Sequence, residues 1–330
     1  MRSFSTRYRG LKGRSAGSTS LSARQIMINR MPPVLTGSIF RRFGEKEGEH
    51  VNPESIEDIL GLIAHISPQA RDYAERAVRD NKLAVIYHKH SEYEHGVFCI
   101  AEDDQCVIAY FAFIQEADSD VLLDLIANTM TPYLQQQTGT QELCFNLYGE
   151  NTQAIHFVRQ LGFQTDMEGY HLYYDGPHEP DISNTGLIIN TYDASMLTPL
   201  ADLFDRAYNA LNQENGWPLD QHRINIRLFH ERLEDKVRND EFRSFWKDGN
   251  LIGAYIISGE YIQDIVVAPD QQNRGYGSTI LTHCIRQMAS RKIPRIYLRI
   301  AKSNQGARRL YERHHFKEAA SFAEHTWRAI

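Results

Sequence analysis

The sequence predicts an α/β protein made of two domains in tandem, each a mixed, mostly antiparallel sheet flanked by helices. Three observations carry that expectation. The chain of 330 residues is long for a single hydrophobic core. It also repeats itself: "NTQAIHFVRQLGF" (151–163) aligns with "NQGARRLYERHHF" (304–316), so that Asn151 meets Asn304, Ala154 meets Ala307, Phe157 meets Leu310 and Phe163 meets Phe316. Both copies space their apolar residues at helical intervals, and each follows a strand-like run, "ELCFNLY" in the first and "RIYLRIA" in the second.

Taken in order, the chain opens on an Arg- and Ser-rich segment with no acidic residue before Glu45. Residues 1–37 read as a disordered or targeting-like extension. The expected location is cytoplasmic, although the same composition fits a mitochondrial or plastid transit peptide. A first domain follows over 38–176. Its helices are "ESIEDILGLIAHI" and "PQARDYAERAVRD", its strand pair is "VFCIAED" and "CVIAYFAFI", and the helix "VLLDLIANTMTPYL" starts almost directly after that pair, at Val121. The cluster "YHKHSEYEH" puts His88 and His90 on one face if it is extended, but reads as a polar surface loop, so no metal site is expected. The stretch "DGPHEPDISNTG" (175–186), rich in Pro, Gly, Asp and Asn, marks a linker expected over 177–186.

The second domain is expected over 187–330. "LIINTYD" reads as a strand, and "MLTPLADLFDRAYNAL" and "HRINIRLFHERLEDKV" as helices. "FRSFWKDGNLIGAYIIS" is a hairpin turning at Asp248-Gly249-Asn250. "YIQDIVVAP" follows as a strand, and "STILTHCIRQMAS" as a helix. The first half shows no clear equivalent of "YIQDIVVAP".

Composition excludes several classes. A net charge of −6 opposes a nucleic-acid binder held by phosphate neutralisation. No apolar run reaches the roughly 18 residues of a membrane span. The four cysteines are scattered without a CxxC pair, which suits a reducing compartment and opposes both a disulfide framework and a thiolate metal site.

The segment "DIVVAPDQQNRGYGSTIL" (264–281) carries the strongest chemical signal. A strand ends at Pro269 and a helix begins near Ser278, so the amides of residues 273–278 lie at a helix N-terminus that favours an anion. Gly275 and Gly277 let the backbone approach a ligand, and Arg274 adds positive charge.

With its context, this segment resembles the acetyl-CoA signature of the GCN5-related N-acetyltransferase (GNAT) superfamily, an apolar strand followed by Gln/Arg-x-x-Gly-x-Gly/Ala. Val266, Val267, Pro269, Gln272, Arg274, Gly275 and Gly277 stand in those places. A second family motif, Asn-x-x-Ala-x-x-Leu-Tyr, is matched by Asn304, Ala307, Leu310 and Tyr311. The resemblance is strong over 187–330 and covers the second motif alone over 38–176.

It implies acetyl-CoA as co-substrate and transfer to an amine on a small molecule or protein, by a monomer or homodimer that needs neither nucleic acid nor membrane. The amides of Asn273, Arg274, Gly275, Tyr276, Gly277 and Ser278 would hold the pyrophosphate beside Gln272. The Val266–Val267 backbone would pair with the pantetheine arm, and Asn304 would orient it. Tyr311 would protonate the departing thiolate, and Asp264 or Glu260 would act as base.

By alternation, Asp264 shares a strand face with Ile262 and Val266. The segment "NALNQENGWPLDQHRINI", with Tyr208 and Trp217, would lie over the acceptor groove. His315 replaces the usual helix-ending Gly, and Val158 replaces the tyrosine in the first half, which also lacks the glycine turn. That half reads as a degenerate copy. Two alternatives stay open: a CoA-binding regulator without turnover, and an acyltransferase using another acyl-CoA or a hydroxyl or thiol acceptor.

Overall fold

The computed structural model describes residues 53–115, 119–136, 141–149, 152–177, 180 and 186–328. The extension expected over 1–37, Asn151 of the repeat, and residues 181–185 of the linker lie outside them. In chain order the elements are α1 (Pro53–Ile66), α2 (Pro68–Arg79), β1 (Leu83–His90), β2 (His95–Glu102), β3 (Cys106–Phe113), α3 (Ser119–Gln135), β4 (Glu142–Tyr148), α4 (Thr152–Gln160), β5 (Phe163–Tyr174) and β6 (Ile188–Asn190). They continue as α5 (Leu197–Glu214), α6 (Gln221–Ile224), α7 (Ile226–Arg238), β7 (Phe242–Lys247), β8 (Asn250–Ser258), β9 (Tyr261–Val267), α8 (Tyr276–Ser290), β10 (Tyr297–Ala301), α9 (Gln305–Arg313) and β11 (Phe316–Trp327).

The chain forms two compact units. One is Gly169–Ala319, and the other joins the described residues up to Glu168 with those from Ala320 onward. The division falls inside the long strands β5 and β11 rather than at 177–186, because each unit completes its sheet with a segment distant in sequence. In the N-terminal unit the strands run β1-β2-β3-β4 and then the 322–327 part of β11; all neighbours are antiparallel except β3 and β4. In the C-terminal unit the 169–173 part of β5 is followed by β10, β9, β8, β7 and β6, with β10 and β9 the parallel pair. Both sheets are therefore mixed and mostly antiparallel, with helices on their faces, as expected.

Local chemistry explains the boundaries. Ser67 caps α2 by accepting the amide of Ala70 at 3.0 Å, and Pro68 opens that helix where a missing N–H costs nothing. Asp248 and Gly249 have φ of 50° and 77°, the paired positive values of the tight turn that joins β7 to β8. Each sheet packs a core on both faces. In the N-terminal unit Ile59, Ile63, Tyr110 and Phe322 fill one face, and Phe98, Phe111, Phe145 and Ala323 fill the other.

Several expectations are corrected. The segment 87–95 is not a loop: His88 and His90 belong to β1, His95 opens β2, and the turn is confined to 91–94. Its polar residues hid the strand because the end of β1 is exposed. With β1 in place, β1 and β2 are the hairpin, and β3 is the first half's equivalent of "YIQDIVVAP". The expected helix over 222–237 breaks at Asn225, with φ −108° and ψ 39°. No helix among the described residues is long and apolar enough to cross a membrane.

His325 on β11 generates a stability prediction. It is buried, its Nδ1 donates to the Phe145 carbonyl at 3.2 Å, and its Nε2 has no hydrogen-bond partner. Burial holds its pKa down at about 4. The unfolded chain takes up this proton below about pH 6.5, whereas the native state resists it until pH 4. Stability is thus full above pH 6.5, and about 3 kcal/mol is lost on acidification through that window. Urea unfolding at pH 7 and pH 4.5 should show this loss, and His325→Phe should flatten it.

Candidate active site

The site grows from one irregularity in β9. In the β8–β9 ladder Ile256 faces Asp264 but Ile257 faces Ile262, so Gln263 is an extra residue, a β-bulge. Beyond it β9 and β10 part: their parallel ladder covers Tyr261–Tyr297 and Ile262–Leu298 alone, although both strands continue. One edge of Gln263–Val267 is left without a strand partner. The buried Oε1 of Gln263 also has no hydrogen-bond partner.

The bulge also reassigns faces. Alternation places Ile262 beside Asp264 and Val266, but Ile262 packs with Ile265, Val267 and the α8 core. Val266 packs on the other face with Leu200, Phe204 and Phe229 of α5 and α7. Asp264 follows Val266, and its carboxylate accepts from Tyr208 of α5 at 2.9 Å and pairs with Arg232 of α7. Burial raises the Asp264 pKa; the Arg232 charge leads the opposing causes, the Tyr208 hydrogen bond and the His222 charge are among them, and the net shift is downward.

Two phenols share this carboxylate's field. Tyr208 is pushed well up, first by burial and then by the Asp264 charge. Tyr311, buried on α9 with its ring edge-on to Phe316, is raised by burial, with smaller effects from Cys284 and Asp264. Both remain protonated at neutral pH. Asp205, also buried on α5, accepts the amides of His222 and Arg223 at 2.9 and 3.0 Å, which fixes α6 beside Tyr208. His222 stacks with the Tyr208 ring, and burial lowers its pKa despite the bond to Asp205. Ser303, in the β10–α9 connection, donates to Asn215 at the end of α5 at 3.0 Å.

The glycine turn lies at the C-terminal end of the same strand. Asn273 and Gly275 have φ of 60° and 86°, and Gly275 caps α8. Among the described residues, the amides of Asn273 to Ser278 donate to no protein acceptor; the first bonded amide is Thr279, to the Gly275 carbonyl at 3.2 Å. Consecutive free amides around left-handed residues form an anion-binding concavity. Gln272 reaches back to the Val267 carbonyl at 3.2 Å. A Cβ on Gly277 would sit 3.5 Å from Leu310, an ordinary contact, so the packing of α8 on α9 does not itself demand glycine there. Lys247 donates to the Tyr276 hydroxyl at 3.3 Å, placing a second cation near the turn with the exposed Arg274.

The structure thus brings Asp264, Tyr208 and Tyr311 together, with the fork beside them. Asn304 caps α9 through Oδ1, which accepts the Ala307 amide at 3.1 Å, and leaves its Nδ2 available. Glu260 does not join them. It is exposed in the β8–β9 turn, at the opposite end of the strand from the glycine turn. His315 takes φ 62°, the left-handed position its glycine counterpart Gly162 occupies at 94°. Arg232, Gln263 and Lys247 escaped the sequence reading. A charge at 232 between Phe229 and Leu233, on the buried stripe of its helix, is the one legible signal.

Residues 201–316, wholly inside the C-terminal unit, match the Acetyltransferase (GNAT) family. A GCN5-related N-acetyltransferase from Sphaerobacter thermophilus superposes with a TM-score of 0.51 at 14% identity, over 84% of this chain and 93% of that one. A GNAT-family acetyltransferase from Colwellia psychrerythraea gives 0.48 at 12% identity, over 85% and 99%. A tandem GNAT protein from the clavulanic acid biosynthesis pathway gives 0.45 at 13% identity, over 83% and 94%. No curated protein matches the chain. Residues 201–316 therefore match the GNAT family model, and the chain has the GCN5-related N-acetyltransferase fold.

Proposed function

We propose that the unit Gly169–Ala319 is an acetyl-CoA-dependent N-acetyltransferase that joins an acetyl group to a primary amine by direct attack on the thioester. The observation that carries this reading is the row of six free amides, Asn273–Ser278, at the open end of the β9–β10 fork. A pyrophosphate fits such a row, and an amide-bearing arm fits the unpaired edge of β9, where the Gln263 Oε1 awaits a donor. When bound there, acetyl-CoA supplies the activated acyl group.

The chain's own residues do the rest. The Val266–Val267 backbone and the Asn304 amide hold the arm in line. Tyr208 accepts a proton from the attacking nitrogen while passing its own to Asp264 Oδ1, to which it is already bonded. Tyr311, kept protonated by burial, gives its proton to the departing sulfur. The acceptor enters beside α5 and α6, where Trp217 is half-buried and Leu219 and Ile224 are exposed. A small molecule or a protein amine suits that lip, and four buried free thiols suit a reducing compartment such as the cytosol.

The N-terminal unit is a degenerate copy without a cofactor site. Its parallel pair β3–β4 stays in register over seven residue pairs, from Cys106–Glu142 to Ala112–Tyr148, so no fork opens. Val158, buried in the core, stands at the tyrosine position.

Two substitutions at Gly275 separate a phosphate cradle from a plain turn. A Cβ there meets nothing within 4 Å, so Gly275→Ala costs only the left-handed strain, about 1 kcal/mol. Gly275→Asp carries the same strain and adds a negative charge. By calorimetry, Ala should retain acetyl-CoA binding and Asp should lose it; equal binding in both sinks the cradle.

Thiol release with a panel of amines (polyamines, amino acids, aminoglycosides, peptide N-termini) tests turnover. Tyr311→Phe and Asp264→Asn should each lower kcat by about 10²–10⁴-fold while acetyl-CoA affinity is unchanged. Because the Asp264 pKa is depressed, its carboxylate is ionised throughout pH 5–9, and any acid limb in that range belongs to the acceptor amine. Equal background rates in wild type and Tyr311→Phe across the whole panel would instead favour a CoA-binding regulator.

A further inference from the structure

The N-terminal unit gathers three histidines on one carboxylate, far from any role in acetyl transfer. Alternation along β1 puts His88 and His90 on the same face, and the β1–β2 register sets His95 directly opposite His90. Asp58 of α1 lies against that face. Its Oδ2 is 2.7 Å from His88 Nε2 and 3.2 Å from His90 Nδ1, and its Oδ1 is 2.8 Å from His95 Nε2. The rings of His90 and His95 stack with centroids 3.9 Å apart.

We propose that Asp58, His90 and His95 bind a divalent transition metal of the zinc type, with His88 orienting the Asp58 carboxylate. The ligand atoms of these three residues all lie within 4.8 Å of one another. Two ligands about 2.0–2.1 Å from a tetrahedral zinc ion sit roughly 3.3 Å apart. His90 lies 3.2 Å from Oδ2 and His95 2.8 Å from Oδ1, so an ion between the rings meets both oxygens of the carboxylate, and side-chain rotation within the 4.8 Å cluster brings the three residues to that spacing.

The donor set chooses the metal. Imidazole nitrogens suit zinc and its first-row neighbours, whereas calcium and magnesium seek oxygen alone. Each neutral ring offers a lone pair to the ion by adopting the appropriate tautomer. His88, bonded to the same carboxylate, is placed as ligand-orienting residues are in metal sites. The site opens to solvent through His90, whose side chain is 63% exposed, while Asp58 and His95 are 20% and 16% exposed. An ion can therefore enter without unfolding, and water completes its coordination. Once seated, it clips α1 to the β1–β2 hairpin.

The test is calorimetric titration of the full chain, stripped with a chelator, with zinc chloride and in parallel with magnesium chloride. One zinc ion per chain should bind, magnesium should give no binding heat, and zinc should raise the melting temperature. His90→Ala removes an exposed ligand and leaves the fold intact, as circular dichroism will check; it should abolish the stoichiometric step, as should Asp58→Asn. His88→Ala should weaken binding by about 10–100-fold. No zinc uptake by wild type, or an affinity unchanged in folded His90→Ala, would show that the cluster is hydrogen bonding alone and overturn the proposal.

Discussion

One inserted residue organises the C-terminal unit. The extra residue, Gln263, stands where β9 leaves its pairing with β10. The bulge changes the phase of the strand and opens its β10 side from residue 263 onward. Unmade backbone hydrogen bonds in a protected setting cost on the order of 1–3 kcal/mol each. A fork of this kind is therefore a standing demand for polar partners, met by water or by a ligand with amide groups. The same phase change delivers Asp264 to the α5–α7 face and Ile265 and Val267 to the α8–α9 face. The unpaired edge and the polar centre meet at one irregularity.

The N-terminal unit supplies the internal contrast. It has the same strand order around a parallel pair, yet β3 carries no bulge and pairs with β4 along its length. β3 is also buried at every position. Such a strand makes a good core and leaves no edge for a ligand. The fold by itself specifies no ligand edge; the irregularity in one copy exposes one. Gly253 shows how closely the working copy is fitted around that irregularity. A Cβ at this position would lie 2.4 Å from the Val266 carbonyl oxygen and 2.6 Å from Ile280, so β8 could not pass beneath β9 and α8 with any larger residue.

Much of this was legible beforehand. The duplication followed from 151–163 and 304–316, the hairpin turn from Asp248-Gly249, and the amide cradle from Gly275 at the head of an apolar helix. His315 accepting a glycine's backbone conformation could also be foreseen. What stayed hidden has physical causes. A bulge leaves no mark in a run such as "YIQDIVV", because alternating polarity looks the same with or without an extra residue; Ile262 was assigned to the wrong face for that reason. β1 was missed because its last residues are polar and exposed, and its loss disturbed the matching of strands between the halves. Arg232 was passed over although a charge on an apolar helix stripe demands a buried partner. The convergence of His88, His90 and His95 on Asp58 depended on β1 and on a helix some 30 residues away, and no local pattern carries that.

In the transfer we propose, a carboxylate held as an anion can still serve an attacking amine. An unreacted ammonium would not surrender a proton to a group whose pKa is depressed, so the acceptor must arrive neutral. As the carbon–nitrogen bond forms, however, the nitrogen becomes strongly acidic, and even a weak base suffices if it is ionised and in contact. Arg232 secures the ionisation by compensating the buried charge, as a buried carboxylate requires. Tyr208 secures the contact, since its hydroxyl already donates to Asp264 and its remaining lone pairs are free to accept. Tyr311 on α9 retains its proton for the opposite need, at the sulfur. On the proposed path, the half-buried Tyr208 and the buried Tyr311 move one proton in and one proton out, with neither phenol nor Asp264 titrating near neutrality.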